Sequence, residues 1–211
     1  MSEIVRIGLC GRSGAGKGYV CRIFDQLGIP SVDTDAVYRE MTGPAETLSP
    51  CMEELVAFFG EKILREDRSL NRPVLSSLVF GENAGDALAQ LNRITHRHIL
   101  LETEKRIADY ARQGYKYVLI DAPVLFESGF DSMCRFTVCV IASEETSVTR
   151  ITERDGITKE AAQRRLAAQM TNEELMCRCD YHIENELHCD TLRQQIARVT
   201  DSIRSRTEEA E

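Results

Sequence analysis

The chain has 211 residues and a net charge of −8, with 34 Asp and Glu against 26 Lys and Arg. That length fits one globular domain carrying small insertions, and the acidic balance argues against a protein that coats nucleic acid or binds an anionic membrane. No apolar run nears the length of a membrane span and Met1-Ser2-Glu3-Ile4 lacks the basic and apolar parts of a signal peptide, so a cytoplasmic protein is expected.

Val5-Arg6-Ile7-Gly8-Leu9-Cys10 is a short apolar run that predicts a buried strand. Directly after it, Gly11-Arg12-Ser13-Gly14-Ala15-Gly16-Lys17-Gly18 has the Gly-x4-Gly-Lys spacing of a phosphate-binding loop. Its glycines let successive backbone N–H groups converge on an anion, and the helix that follows adds its N-terminal dipole at the same spot. Lys17 supplies a point charge for the outer phosphates of a nucleoside triphosphate. Ser or Thr normally follows that lysine and holds Mg²⁺ through its hydroxyl, but here Gly18 and Tyr19 follow. Val20, Ile23, Phe24 and Leu27 then recur at helical spacing, with Gly28 placed as a cap and Pro30 beyond it.

Ile29 to Asp33 reads as a second strand, Tyr117 to Asp121 as a third, Phe136 to Ile141 as a fourth and Tyr181 to Glu184 as a weaker fifth. Strands alternating with helices predict an α/β fold: a P-loop NTPase-type three-layer sandwich around a five-stranded parallel sheet. Two stretches interrupt the alternation. Residues 36–114 read as a helical insertion, including a long helix with Leu88, Leu91, Ile94 and Leu101 on its apolar side, and residues 144–179 as a helical, arginine-rich segment. The expected organisation is a core of 1–35, 115–143 and 180–211, an acceptor-binding insertion of 36–114 and a lid of 144–179, the layout of a small kinase. The charged tail from Arg204 to Glu211 is expected to fray. In a reducing cytosol the eight cysteines are expected as free thiols, Cys10 and Cys139 packing as small hydrophobes. Cys177, Cys179, His182, His188 and Cys189 carry metal-binding groups, but their spacing is not that of a zinc motif and they read as incidental.

Ligands of an open parallel sheet bind beyond the carboxyl ends of the strands, which selects Asp33 and Asp121. Asp33 either orients an attacking hydroxyl or caps the next helix, a job that Thr34 or Asp35 also fits. Asp121 either sits near Mg²⁺, holding it through water as a Walker-B carboxylate does, or satisfies loop N–H groups. Arg150 and Arg154 lie four apart on one helix face, and a closing segment could bring such guanidinium groups to a transferring phosphoryl group. The alternative for Arg154 is a solvated charge paired with Glu153, Asp155 or Glu160, and Arg164 reads as solvated surface. In the insertion Arg72, Asn92, Thr95 and His96 are the polar residues chosen as substrate-binding, while His98 fits an ordinary half-buried helix histidine.

These residues resemble the dephospho-coenzyme A kinase family, which phosphorylates the ribose 3′-hydroxyl of dephospho-CoA with ATP in the last step of coenzyme A biosynthesis. The likeness runs over nearly the whole chain. It comprises the loop Gly11 to Gly18; Gly28-Ile29-Pro30 leading to Val32-Asp33-Thr34-Asp35; Arg72 with Leu75 and Val79-Phe80; and Leu91-Asn92-x-Ile94-Thr95-His96. It continues with Asp121-Ala122-Pro123-Val124-Leu125-Phe126-Glu127, Arg150, Arg154-Asp155-Gly156, Ala168-Gln169 and Ile183-Glu184-Asn185. The resemblance implies Asp33 as the catalytic carboxylate, assisted by Lys17 and Arg154, and an ATP site of Ser13, Gly14, Ala15, Gly16, Lys17, Gly18, Tyr19 and Arg150. It implies ATP with Mg²⁺ and dephospho-CoA as partners, with no nucleic acid or membrane, and a monomer or weak homo-oligomer. The family normally has Ser-Thr where this chain has Gly18-Tyr19, Pro at Arg97 and Leu at Val124. Two alternatives stay open: another small-molecule or nucleoside monophosphate kinase, and a catalytically impaired nucleotide-binding homologue.

Overall fold

Five strands form one sheet in the order β2-β3-β1-β4-β5, built from β1 (Val5–Cys10), β2 (Ser31–Asp33), β3 (Tyr117–Asp121), β4 (Phe136–Ile141) and β5 (Tyr181–Glu184). This computed structural model describes residues 4–81, 84–186 and 189–209. The leader reading of Met1 to Glu3, His188 of the Cys/His group and the last two tail residues lie outside them. β1 pairs in parallel with β3 on one side and β4 on the other, and β4 pairs in parallel with β5. The chain divides into two compact units, one of residues up to Val32 with Asp109 onward, the other Asp33–Ala108.

In the first unit the period-two alternation of the strands decides the packing. Ile7 and Leu9 of β1, Val138 and Val140 of β4 and Ile183 of β5 bury against α1 (Lys17–Gln26) and α9 (Cys189–Glu208). Gly8 points to the other face, where a β-carbon would lie 2.9 Å from Leu125 Cδ2 and 3.0 Å from Cys134 Sγ. Helix α1 buries Val20, Ile23 and Phe24, but Leu27 falls past its end and is part-exposed, because Gly28 (φ +80°) stops the helix. The Gly28 N–H donates to Asp25 O and the Ile29 N–H to Phe24 O, closing the C-terminus. The expected frayed tail is instead helical through Glu208. Leu192, Ile196 and Ile203 bury one face of α9, Thr207 is buried with its hydroxyl donating to Ile203 O, and Arg206 lies over the Phe136 and Tyr181 rings.

The arginine-rich stretch forms α6 (Glu144–Asp155), α7 (Lys159–Ala167) and α8 (Asn172–Arg178), each opened by a Ser or Thr cap: Ser143, Thr158 and Thr171. Val148, Ile151, Ala162 and Leu166 make a small core between α6 and α7.

The second unit is helical: α2 (Thr34–Met41), α3 (Pro50–Phe59), α4 (Arg72–Val79) and α5 (Ala87–Arg112), around Met52, Leu55, Ile63, Leu75 and Ile94. The long helix exists, and of the row read from the sequence Ile94 is buried and Leu91 half-buried, but Leu88 and Leu101 do not continue it. Thr95, Ile99, Thr103 and Ile107, each four apart, are buried, whereas Leu101 is 53% exposed and Leu88 37%. Two of those four positions are threonines, so an apolar count alone misplaces the face.

Candidate active site

The phosphate loop owes its shape to three glycines with positive φ: Gly11 (+153°), Gly14 (+77°) and Gly16 (+87°). None tolerates a side chain. A β-carbon at Gly11 would sit 2.4 Å from Val140 O, at Gly14 2.4 Å from Ser147 O, and at Gly16 2.2 Å from Asn185 Nδ2. Gly16 is the N-cap residue of α1 and no side chain caps the helix, so its first N–H groups stay directed at the loop. Lys17 folds back with Nζ 3.3 Å from Gly11 O.

The loop is held from behind by residues far away in sequence. Arg150 donates through Nη1 to Gly14 O (3.2 Å), Ala15 O (3.4 Å) and Asn185 O (3.0 Å), and through Nη2 to Glu186 O (2.7 Å). Asn185, buried, donates from Nδ2 to Ala15 O at 2.7 Å. The Ser13 N–H donates to Gln169 Oε1 at 2.9 Å, and Arg12 Nη2 donates to Leu166 O at 2.7 Å. Thr146 and Ser143 hydroxyls donate to the Glu186 carboxylate and hold it below the usual carboxylate range, steadying the segment on which Arg150 rests. The structure thus brings Arg150 onto the loop, gripping its carbonyls.

Gly18 is exposed, and a β-carbon there would meet nothing within 4 Å. The Tyr19 side chain packs against the sheet core and its ring lies 5.3 Å below the Arg22 guanidinium, so it does not replace the missing hydroxyl. Asp121 closes β3 in register with Leu9, two residues before the loop, and Cys21 of α1 donates its thiol to Asp121 Oδ2 at 3.6 Å. Mg²⁺ keeps several waters and asks for only one or two protein carboxylates. A single carboxylate at the end of the strand beside the loop, with open space at Gly18, fits that ion.

Arg154 is engaged by its neighbour. Its Nε and Nη2 donate to Asp155 at 2.8 and 2.9 Å, and Arg165 also pairs with Asp155, the two guanidinium groups holding that carboxyl well below its ordinary range. This is the surface pairing that stood as the alternative for Arg154.

In the second unit Asp33 performs the capping job. Its Oδ1 accepts from Ala36 N–H at 2.9 Å, while Oδ2 lies 3.4 Å from Arg39 and the side chain is half-exposed. Asp35, which also fitted that job, sits in the first turn instead. Arg72 lies 4.9 Å over the Tyr38 ring and donates to Thr42 Oγ1. Asn92, Thr95 and His96 share α5 at i, i+3 and i+4. Asn92 is exposed, but Thr95 is buried with its hydroxyl turned back on Leu91 O, a structural role. Burial lowers the His96 pKa below its ordinary value. His98 is tied to Glu54 at 2.9 Å, and Arg97 pairs with the same carboxylate.

Sequence reasoning gave no role to Asn185, Gln169, Arg12 or Cys21. The first two carry one signal in the sequence: they fall within the shared segments Ala168-Gln169 and Ile183-Glu184-Asn185.

A parallel sheet in this order, with a phosphate loop running from its central strand into α1, defines a P-loop kinase. Solved structures agree on the fold. A Thermus thermophilus protein superposes with a TM-score of 0.78 at 26% identity, covering 95% of this chain and 98% of its own. A dephospho-CoA kinase from Campylobacter jejuni gives 0.57 at 20% identity, over 96% and 98%. The dephospho-CoA kinase family model matches residues 5–190, and the Shouchella clausii dephospho-CoA kinase is 35% identical over 86% of this chain and 89% of its own. The chain belongs to the dephospho-CoA kinase family.

Proposed function

We propose that this protein transfers the γ-phosphoryl group of ATP to the ribose 3′-hydroxyl of dephospho-CoA, giving coenzyme A and ADP. The observation that carries the reading is the loop Gly11–Gly18, with Gly11, Gly14 and Gly16 in the positive-φ region and backed by Arg150 and Asn185, in a chain matched by the family over residues 5–190. In this reading the loop from Ser13 to Tyr19 wraps the ATP phosphates with the N–H groups of Gly14, Gly16, Lys17 and Gly18, those of Ser13, Ala15 and Tyr19 being held by Gln169, Arg12 and Gly16, and Arg150 acts on ATP through the loop it grips. Lys17 leaves Gly11 O for the outer phosphates.

The O3′–phosphorus bond forms as the bond from the γ-phosphorus to the β–γ bridging oxygen breaks, and the hydroxyl proton leaves. Asp33 Oδ2, the oxygen not used for capping, orients that hydroxyl and accepts the proton. In a loose transition state such positioning outweighs proton abstraction. Arg154 exchanges Asp155 for the charge that develops on the transferring group. Asp121 would hold Mg²⁺ through water. That ion, when bound, neutralises charge on the phosphate oxygens. Arg72, Asn92 and His96 are the contacts we assign to the acceptor; Thr95 supports the helix that carries two of them.

A cytoplasmic protein, monomeric or weakly self-associating, fits these substrates. Among the described residues no helix is long and apolar enough to cross a membrane. The test is ADP release by purified protein with Mg-ATP. Release should require dephospho-CoA and should not be replaced by nucleoside monophosphates. ATP binding without turnover on any acceptor would overturn the reading.

A further inference from the structure

Three thiols outside the proposed chemistry converge on the sheet face opposite α1. Cys10 ends β1, Cys139 lies beside it in register on β4, and Cys179 joins α8 to β5. Cys10 and Cys139 are buried, while Cys179 keeps partial access to solvent. The Cys10 and Cys179 sulfurs are 3.6 Å apart, and the Cys139 thiol is also a hydrogen-bond partner of Cys179. An S–S bond of roughly 2.05 Å asks these two sulfurs to close from 3.6 Å.

We propose that Cys179 and Cys10 form a site of reversible oxidation by hydrogen peroxide, giving a disulfide that pulls on the phosphate loop. The order of events follows from access. Oxidant reaches Cys179 first, and the hydrogen bonds that its sulfur shares with the Cys10 and Cys139 thiols favour the reactive thiolate. The Cys179 thiolate attacks one peroxide oxygen; the O–O bond breaks, and the departing hydroxide takes a proton to become water. The Cys10 sulfur then attacks the sulfenic sulfur of Cys179. The S–S bond forms, the S–O bond breaks, and the Cys10 proton leaves with the hydroxide as a second water. Two thiols are oxidised and one peroxide is reduced to two waters.

The consequence is local. Cys10 is bonded to Gly11, the first residue of the loop, which packs so close to β4 that a β-carbon there would lie 2.4 Å from Val140 O. A pull on Cys10 is therefore passed into the loop that Lys17, Arg150 and Asn185 hold in shape.

The experiment treats the full chain with hydrogen peroxide, maps its peptides by mass spectrometry without reduction, and measures ATP affinity before and after dithiothreitol. The expected result is one cross-link, Cys10 to Cys179, with weakened ATP binding that returns on reduction. Cys179→Ser should lose both effects, and Cys177→Ser, which removes an exposed thiol of α8, should keep them. A cross-link to Cys139, oxidation confined to Cys177, or unchanged ATP affinity of the cross-linked protein would overturn the proposal. Thermal melting of reduced Cys179→Ser confirms that the variant is folded.

Discussion

Two glycines, two residues apart in the same loop, should respond in opposite ways to the same methyl group. At Gly16 an alanine must adopt φ +87°, at a cost of roughly 1–2 kcal/mol. Its β-carbon would also lie 2.2 Å from Asn185 Nδ2, so the amide must leave Ala15 O. Losing that bond and stranding a buried amide costs roughly 2–3 kcal/mol more. The sum of roughly 3–5 kcal/mol corresponds to a fall in Tm of about 6–20 °C for a chain of this size. At Gly18 the backbone is already helical and a β-carbon meets nothing within 4 Å, so alanine should be neutral or stabilising by about 0.5–1 kcal/mol. Thermal melting with ATP titration on both variants decides the matter. A Gly16→Ala protein as stable as wild type, or a Gly18→Ala protein equally damaged, would refute the reasoning that Asn185 and the glycine backbone set the loop.

Arg150→Lys replaces a planar fork serving four carbonyls with one ammonium, losing about two hydrogen bonds; calorimetry should show ATP binding weakened about tenfold or more. Asp33→Asn keeps a competent helix cap, so the fold and ATP affinity should hold while turnover falls about a hundredfold, read from steady-state kinetics. Gly18→Ser returns the usual metal-binding hydroxyl to an open position, and the Mg²⁺ concentration for half-maximal rate should fall; an unchanged value would show that the site manages without that ligand. Burial depresses the His96 pKa in the folded state, so its contribution is present above the ordinary value near 6.5 and is lost as pH falls through the folded value. Melting curves at pH 7.5 and 5.5 should show a smaller acid-induced drop for His96→Gln than for wild type.

Most of the fold was legible because short continuous apolar runs and glycine punctuation are local signals. All five strands stand where the runs placed them, and β2 is shorter only because Ile29 and Pro30 lead into it. What escaped was set by tertiary contact. The buried row of α5 contains Thr95 and Thr103, whose polarity hid it. The tail from Arg204 stays helical because arginine stems cover aromatic rings and Thr207 finds Ile203 O. At the site, the loop and Asp121 could be read from spacing and strand ends, but the grip of Arg150, Asn185 and Gln169 on backbone carbonyls and N–H groups leaves no pattern in composition. For Arg154 the sequence left Glu153, Asp155 and Glu160 open as partners, and for the cap of α2 it left Asp33, Thr34 and Asp35; the fold selects Asp155 and Asp33.

The most direct test of the account is the identity of the product. Purified protein should be incubated with Mg-ATP and dephospho-CoA and the mixture followed by phosphorus NMR and mass spectrometry. The account predicts one new phosphomonoester on the ribose 3′-oxygen, formed in step with ADP. ADP formed without that ester, or a phosphoryl group found on any other oxygen, would contradict it.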